Sequence, residues 1–139
     1  CFCTSDRDIY AIGDVALQRG KSIRIESVHN AQDSGARAAA LIMGNSPPEV
    51  QAPWFWSDQY DVNLQSVGIV PTNVDDIYQI SREGKRENGE SFWTYLGKQL
   101  LAVEAVGDPE NFILGKKCLE MQISPDPNLI GNTSFNPAG

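Results

Sequence analysis

The stretch "SFWTYLGKQLLAVEAVGDPENFILGKK", residues 91–117, holds the signals that decide the fold. Two apolar and aromatic runs flank Gly97 and Lys98. Glycine followed by a polar residue between two such runs is typical of a tight turn, so the pattern predicts two antiparallel strands joined by a hairpin.

A helix is predicted directly after the second of these strands. Asp108 is a typical N-cap, Pro109 suits the first helical position, and Glu110 lies near the positive end of the helix dipole. The apolar residues of this helix are expected to pack on the sheet: Phe112, Ile113 and Leu119.

Two further strands precede this stretch, at residues 63–70 and 76–82, and with the first two they predict an antiparallel meander. The connection "SREGKREN" contains Arg82, Lys85 and Arg86, but acids and a glycine interrupt the basic residues. It therefore predicts a solvated hairpin loop rather than a docking patch. The tail, residues 124–139, is expected to be loop.

Residues 8–44 predict a different unit. Ile9 to Ile12 is predicted to be a short buried strand that ends at a glycine. A helix is predicted from about Ser27, its N-cap, to Gly44, a typical C-terminal glycine.

The prolines and the lack of periodicity in "NSPPEVQAPWFWSDQYD", residues 45–61, predict a linker. We expect two domains, residues 1–46 and 47–139. The predicted fold class is α+β, with a βα unit followed by a small antiparallel sheet and a covering C-terminal helix.

Composition limits the function. A formal charge of -7 and a pI near 4.5 argue against nucleic acid as a partner. No apolar run approaches the roughly 20 residues of a membrane span, so a cytoplasmic protein is expected. Three cysteines, Cys1, Cys3 and Cys118, are an odd number without metal-site spacing, which favours buried thiols over metal ligands.

Several residues could bind a ligand. Asp14 follows Gly13 where α/β folds place ligand-contacting groups, although a turn or capping aspartate explains it equally well. The predicted helix start at Ser27 offers free N–H groups and a partial positive charge. His29 has no evident nucleophile as a partner, so a surface or capping role is favoured over catalysis.

The stretch "PWFWSDQY" places aromatic rings close together. Trp54 and Trp56 could line a planar cofactor or an interface, or they could pack the two units together.

Four segments, taken in order, resemble a known family: "TSDRDIYAIGDVA", "RIESVHNAQDSGARAAALIMG", "PWFWSDQYDVNLQSVGI" and "LLAVEAVGDPENFILGKK". They are similar to FAD-dependent NAD(P)H:ferredoxin reductases of bacterial oxygenase systems, of the putidaredoxin, rhodocoxin and biphenyl-dioxygenase reductase type, in the pyridine nucleotide-disulfide oxidoreductase superfamily. The resemblance implies that the chain is the carboxyl end of such a reductase.

The resemblance also implies roles for named residues. Asp14 resembles the family aspartate on the FAD ribityl chain, with Val15 as its backbone neighbour. The segment from Glu26 through Ser27 and Val28 to His29 resembles the helix start that faces the flavin. Trp54 and Trp56 resemble aromatic residues beside the flavin ring and on the ferredoxin-docking surface.

In such a reductase, electrons pass from NADH or NADPH through FAD to an iron-sulfur ferredoxin. The nucleotide-binding folds would lie upstream, so the fragment alone is expected to be inactive, with no catalytic side chain of its own and no metal. An alternative is an interaction module that forms a homodimer through its sheet edge or aromatic cluster. A related flavin-dependent NADH or CoA-disulfide reductase is a further alternative, against which "PWFWSDQY" argues.

Overall fold

The computed structural model describes residues 2–21 and 23–139. The chain divides into two compact parts, Cys1–Pro53 and Trp54–Gly139, called here the N-terminal unit and the C-terminal unit. Cys1, for which burial was predicted, lies outside the described residues. Within the described part of the chain, no helix is both long and apolar enough to cross a membrane.

The N-terminal unit is built around helix α1, Val28–Ile42. The Ser27 side chain caps this helix by accepting a hydrogen bond from the Asn30 amide at 3.1 Å. Gly44, with φ +73°, follows the last turn in the left-handed conformation that favours glycine. The predicted cap, extent and C-terminal glycine of the helix are confirmed.

The predicted buried strand from Ile9 to Ile12 is wrong. Within the described residues its β pairing is one antiparallel bridge between Cys3 and Tyr10. Ile9 and Ile12 are 55% and 41% exposed. A strand of this type is buried only when neighbouring strands pair with both of its edges, and the described part of the N-terminal unit supplies one short partner. A short 3-10 helix, Gly13–Val15, follows.

The C-terminal unit contains one five-stranded antiparallel sheet with the order β1-β2-β5-β4-β3. Its strands are β1 Trp54–Gln59, β2 Val62–Gly68, β3 Ile77–Glu83, β4 Glu90–Leu96 and β5 Gln99–Val106. The α+β class is therefore confirmed.

Two predictions about this sheet are wrong. The predicted linker contains β1, which pairs with β2 along its whole length and turns back at Tyr60, where φ is +57°. The predicted meander is also incorrect, because β2 pairs with β5 and not with β3. Strand β5 lies at the centre, between β2 and β4, and its Ala102, Val103 and Ala105 are buried. A strand buried in this way needs a partner on each edge because its backbone N–H and C=O groups cannot bond to water.

Helix α2, Pro109–Glu120, covers one face of the sheet. As predicted, Asp108 caps it by accepting a hydrogen bond from the Asn111 amide at 3.3 Å. Phe112 is buried as expected. Ile113 is 63% exposed, so its predicted packing is wrong. One residue along a helix turns the side chain by about 100°, which carries Ile113 off the apolar stripe.

The fully buried core of the C-terminal unit lies under α2. Val67, Val103 and Trp93 form a row across β2, β5 and β4, and each has 0% exposure. At Gly115 an added Cβ would lie 2.6 Å from the Cγ2 atom of Val103. The absence of a side chain there lets α2 approach the sheet closely.

The tail is more ordered than predicted. It contains a short helix α3, Pro127–Ile130, and it wraps around Arg82, which is only 5% exposed. The Arg82 guanidinium donates hydrogen bonds to four tail carbonyls, those of Ile130, Asn132, Thr133 and Phe135. Arg82 is therefore a buried anchor and not part of a solvated loop.

Candidate functional site

The first part of the candidate site is the turn at Gly13. This glycine is buried, has φ +66°, and begins the 3-10 helix. Its amide donates a hydrogen bond to the Ser34 hydroxyl at 3.0 Å. A Cβ added to Gly13 would lie 3.5 Å from the Cβ of Ala31. The turn is thus held against α1 by one hydrogen bond, and it lies next to Ala31.

Asp14 and Val15 come directly after Gly13, and both are exposed to solvent. Val15 is 77% exposed, and Asp14 is also exposed. Within the described part of the chain, the structure gives the Asp14 carboxylate no hydrogen bond and no ion pair. An exposed carboxylate of this kind can accept hydrogen bonds from the hydroxyl groups of a ligand.

The first turn of α1 is the second part of the site. The Ser27 side chain accepts a hydrogen bond from the Asn30 amide, and the N–H groups of a first helical turn have no carbonyl acceptor within the helix itself. Val28 is 55% exposed. The helix dipole adds partial positive charge, so this turn favours a negatively charged or electron-rich group.

The side chains of Glu26 and His29 both have protein partners. Glu26 forms an ion pair with Arg24, with 2.9 Å between Oε1 and Nη2, and both side chains are more than half exposed. The His29 Nε2 atom lies 3.1 Å from Oε1 of Gln51.

Trp54 and Trp56 lie in β1 of the C-terminal unit, on the sheet face that α2 covers. The Trp54 ring centre is 5.4 Å from that of Trp56 and 5.7 Å from that of Phe112. Trp54 is half-buried in this cluster, whereas Trp56 is 42% exposed. Of the two tryptophans, Trp56 therefore presents more surface to a ligand or partner.

The structure brings the Asp14 turn and α1 together through one residue that the sequence interpretation missed. Ser34 connects them from inside the helix. The sequence did contain a signal for Ser34, because a serine inside an Ala-rich helix is unfavourable unless its hydroxyl forms a hydrogen bond with the backbone. Among the described residues, no group of three or more His, Cys, Asp or Glu side chains could hold a metal ion.

The C-terminal unit is a small α+β domain, and it follows a turn-and-helix segment in the chain. Residues 54–136 match the model of the family described as "Reductase C-terminal". The chain belongs to this family.

Individual relatives agree with this assignment. The chain is 36% identical over 135 residues to putidaredoxin reductase CamA of Pseudomonas putida, covering 94% of this chain and 31% of that protein. It is 36% identical over 138 residues to rhodocoxin reductase of Rhodococcus erythropolis, covering 96% and 31%.

A solved structure shows the same fold. The crystal structure of the covalent putidaredoxin reductase-putidaredoxin complex matches with a TM-score of 0.82 and 36% identity, over 96% of this chain and 32% of that chain. The chain thus spans about a third of the length of the relatives it matches.

Proposed function

We propose that this chain is the carboxyl-terminal portion of a flavoprotein that passes electrons from NADH or NADPH through FAD to a ferredoxin-type iron-sulfur protein of an oxygenase system. The observation that carries the proposal is the match to named reductases over nearly the entire chain, in sequence and in structure. In this proposal, residues 1–46 end an FAD-binding domain and residues 47–139 form the C-terminal domain.

The residues of the candidate site fit FAD. The exposed Asp14 carboxylate, which has no partner within the described residues, would accept hydrogen bonds from ribityl hydroxyl groups. The first turn of α1 would face the flavin and favour the negative charge of its reduced form. Trp56 would present an aromatic face to the cofactor or to the electron acceptor.

When bound, FAD would take a hydride from the nicotinamide and release its electrons singly to the acceptor. In this proposal, the residues of this chain help to bind and orient FAD. The sequence holds no glycine-rich turn for a pyrophosphate, so the segment on its own is proposed to retain little FAD and to lack activity. A cytoplasmic location stays a prediction.

Replacing Asp14 by alanine in the full-length reductase tests the site. We expect FAD binding to weaken by about 1–3 kcal/mol, because ligand hydroxyl groups lose their charged acceptor. Flavin absorbance after gel filtration and a fluorescence titration with FAD measure the loss.

The matched control for this experiment is Asp8→Ala, which makes the same charge change at another exposed position of the N-terminal unit. It should leave FAD affinity unchanged. Equal flavin retention in the two variants would remove Asp14 from the proposed site.

A second candidate function is a free-standing interaction module that forms a homodimer. It is favoured by β1, an edge strand whose Phe55 and Trp56 are 43% and 42% exposed. Sedimentation of the 139-residue chain tests it. A dimer that Trp56→Ala dissociates is the expected result for this candidate, and a monomer at high concentration would contradict it.

A further inference from the structure

Ser34 is the buried polar residue at the centre of this inference. It lies within α1 and is 4% exposed. Its hydroxyl accepts a hydrogen bond from the Gly13 amide at 3.0 Å and donates one to the Ala31 carbonyl at 3.2 Å. One side chain therefore bonds both to the helix and to the turn that precedes Asp14.

The bond from Gly13 matters because this glycine is buried. A buried amide without an acceptor is destabilising, and the structure gives the Gly13 amide the Ser34 hydroxyl as its acceptor. Alanine would suit the helix interior better than serine. The serine hydroxyl therefore lowers the stability of α1 locally, and the hydrogen bond from the Gly13 amide offsets this loss.

The direction of the Asp14 carboxylate depends on this turn. Asp14 is adjacent to Gly13, and within the described residues its carboxylate has no hydrogen bond or ion pair that would orient it. Its position therefore follows the backbone of Gly13, which is hydrogen-bonded to Ser34 and lies next to Ala31.

We propose that Ser34 is a positioning residue for the cofactor site: it holds the Gly13 turn against α1 and thereby presents the Asp14 carboxylate to the ribityl hydroxyl groups of FAD. This inference rests on the proposed function. It assigns to a residue inside the helix a share of the cofactor affinity, although Ser34 itself is not a ligand.

The test compares Ser34→Ala and Ser34→Thr in the full-length reductase. Ser34→Ala should speed hydrogen exchange of the Gly13 amide in the FAD-free protein by about tenfold, and should raise the FAD dissociation constant by about tenfold. Ser34→Thr keeps the hydroxyl and should restore both values. The control Gln32→Ala, at an exposed position of α1, should change neither.

The double variant Ser34→Ala with Asp14→Ala should bind FAD no more weakly than Asp14→Ala alone, because Ser34 acts through Asp14. Additive losses would overturn the inference. Unchanged Gly13 exchange in Ser34→Ala would also overturn it.

Two further outcomes separate this inference from the proposed function. If Ser34→Ala speeds exchange at Gly13 but leaves FAD affinity unchanged while Asp14→Ala weakens it, the inference fails and the FAD site stands. If Asp14→Ala has no effect on FAD, the proposed site fails and the positioning role fails with it.

Discussion

Replacing Gly68 by alanine is expected to lower the free energy of unfolding of the C-terminal unit by about 3–4 kcal/mol. Gly68 ends β2 with φ +93° and lies opposite Ala102 of β5. An added Cβ would lie 2.2 Å from the Leu101 carbonyl oxygen and 2.8 Å from the Ala102 Cα. Both are backbone atoms of the central strand, so relief requires that β2 and β5 separate.

The control for this variant is Gly97→Ala. Gly97 also has positive φ, +58°, but a Cβ there would meet nothing within 4 Å. Gly97→Ala should lower the free energy of unfolding by about 1–2 kcal/mol, because only the positive φ is unfavourable for alanine there. Urea unfolding followed by tryptophan fluorescence measures both variants, and equal losses would contradict a steric role for Gly68.

The variant Arg82→Met is expected to destabilise the C-terminal unit by about 3–5 kcal/mol and to release the tail. Methionine fills similar volume but donates no hydrogen bond. It would leave the Asn111 side-chain oxygen and four tail carbonyls without their donor. Burial lowers the pKa of Arg82 and the Asp108 carboxylate opposes that shift, which agrees with an enclosed charge held by polar groups.

Lys85→Met provides the matched control, since it removes a cation three residues away, in the loop that follows β3. Lys85 pairs with Glu110 at 2.7 Å, but its side chain is 83% exposed. Its loss should change stability by less than about 0.5 kcal/mol. Limited proteolysis within residues 131–139 reports release of the tail, and a tail that stays resistant in Arg82→Met would contradict the anchor.

The helices could be predicted because their signals are local. Ser27 and Asp108 bond to amides three residues away, so the residue type and its position suffice to place the start of each helix. The runs of β2, β3, β4 and β5 are likewise visible as apolar segments between turns, whereas β1 lies in a stretch that reads as a linker. Ile113 shows the limit of this approach, because apolar character alone does not tell which side of α2 meets the sheet.

Only part of the local geometry around the proposed site residues could be predicted. The Gly13-Asp14 pair stood out as a turn with a carboxylate, but its link to Ser34 joins residues 21 positions apart. The polar neighbours of Arg82 in the sequence predict a solvated loop, whereas the tail carbonyls to which it donates lie about 50 residues later. Neither the Gly13–Ser34 bond nor the bonds from Arg82 to the tail can be recognised from sequence patterns a few residues long.

The sequence by itself determined the α+β class, both helix starts and the ordered segments that resemble a reductase, since these depend on residue type and short-range spacing. Only the tertiary structure decided the strand order, the inclusion of β1 in the sheet, the burial of Arg82 and the bond between Ser34 and Gly13. The physical reason is that such choices are settled by competition among distant hydrogen-bond and packing partners, and that competition takes place only in the folded chain.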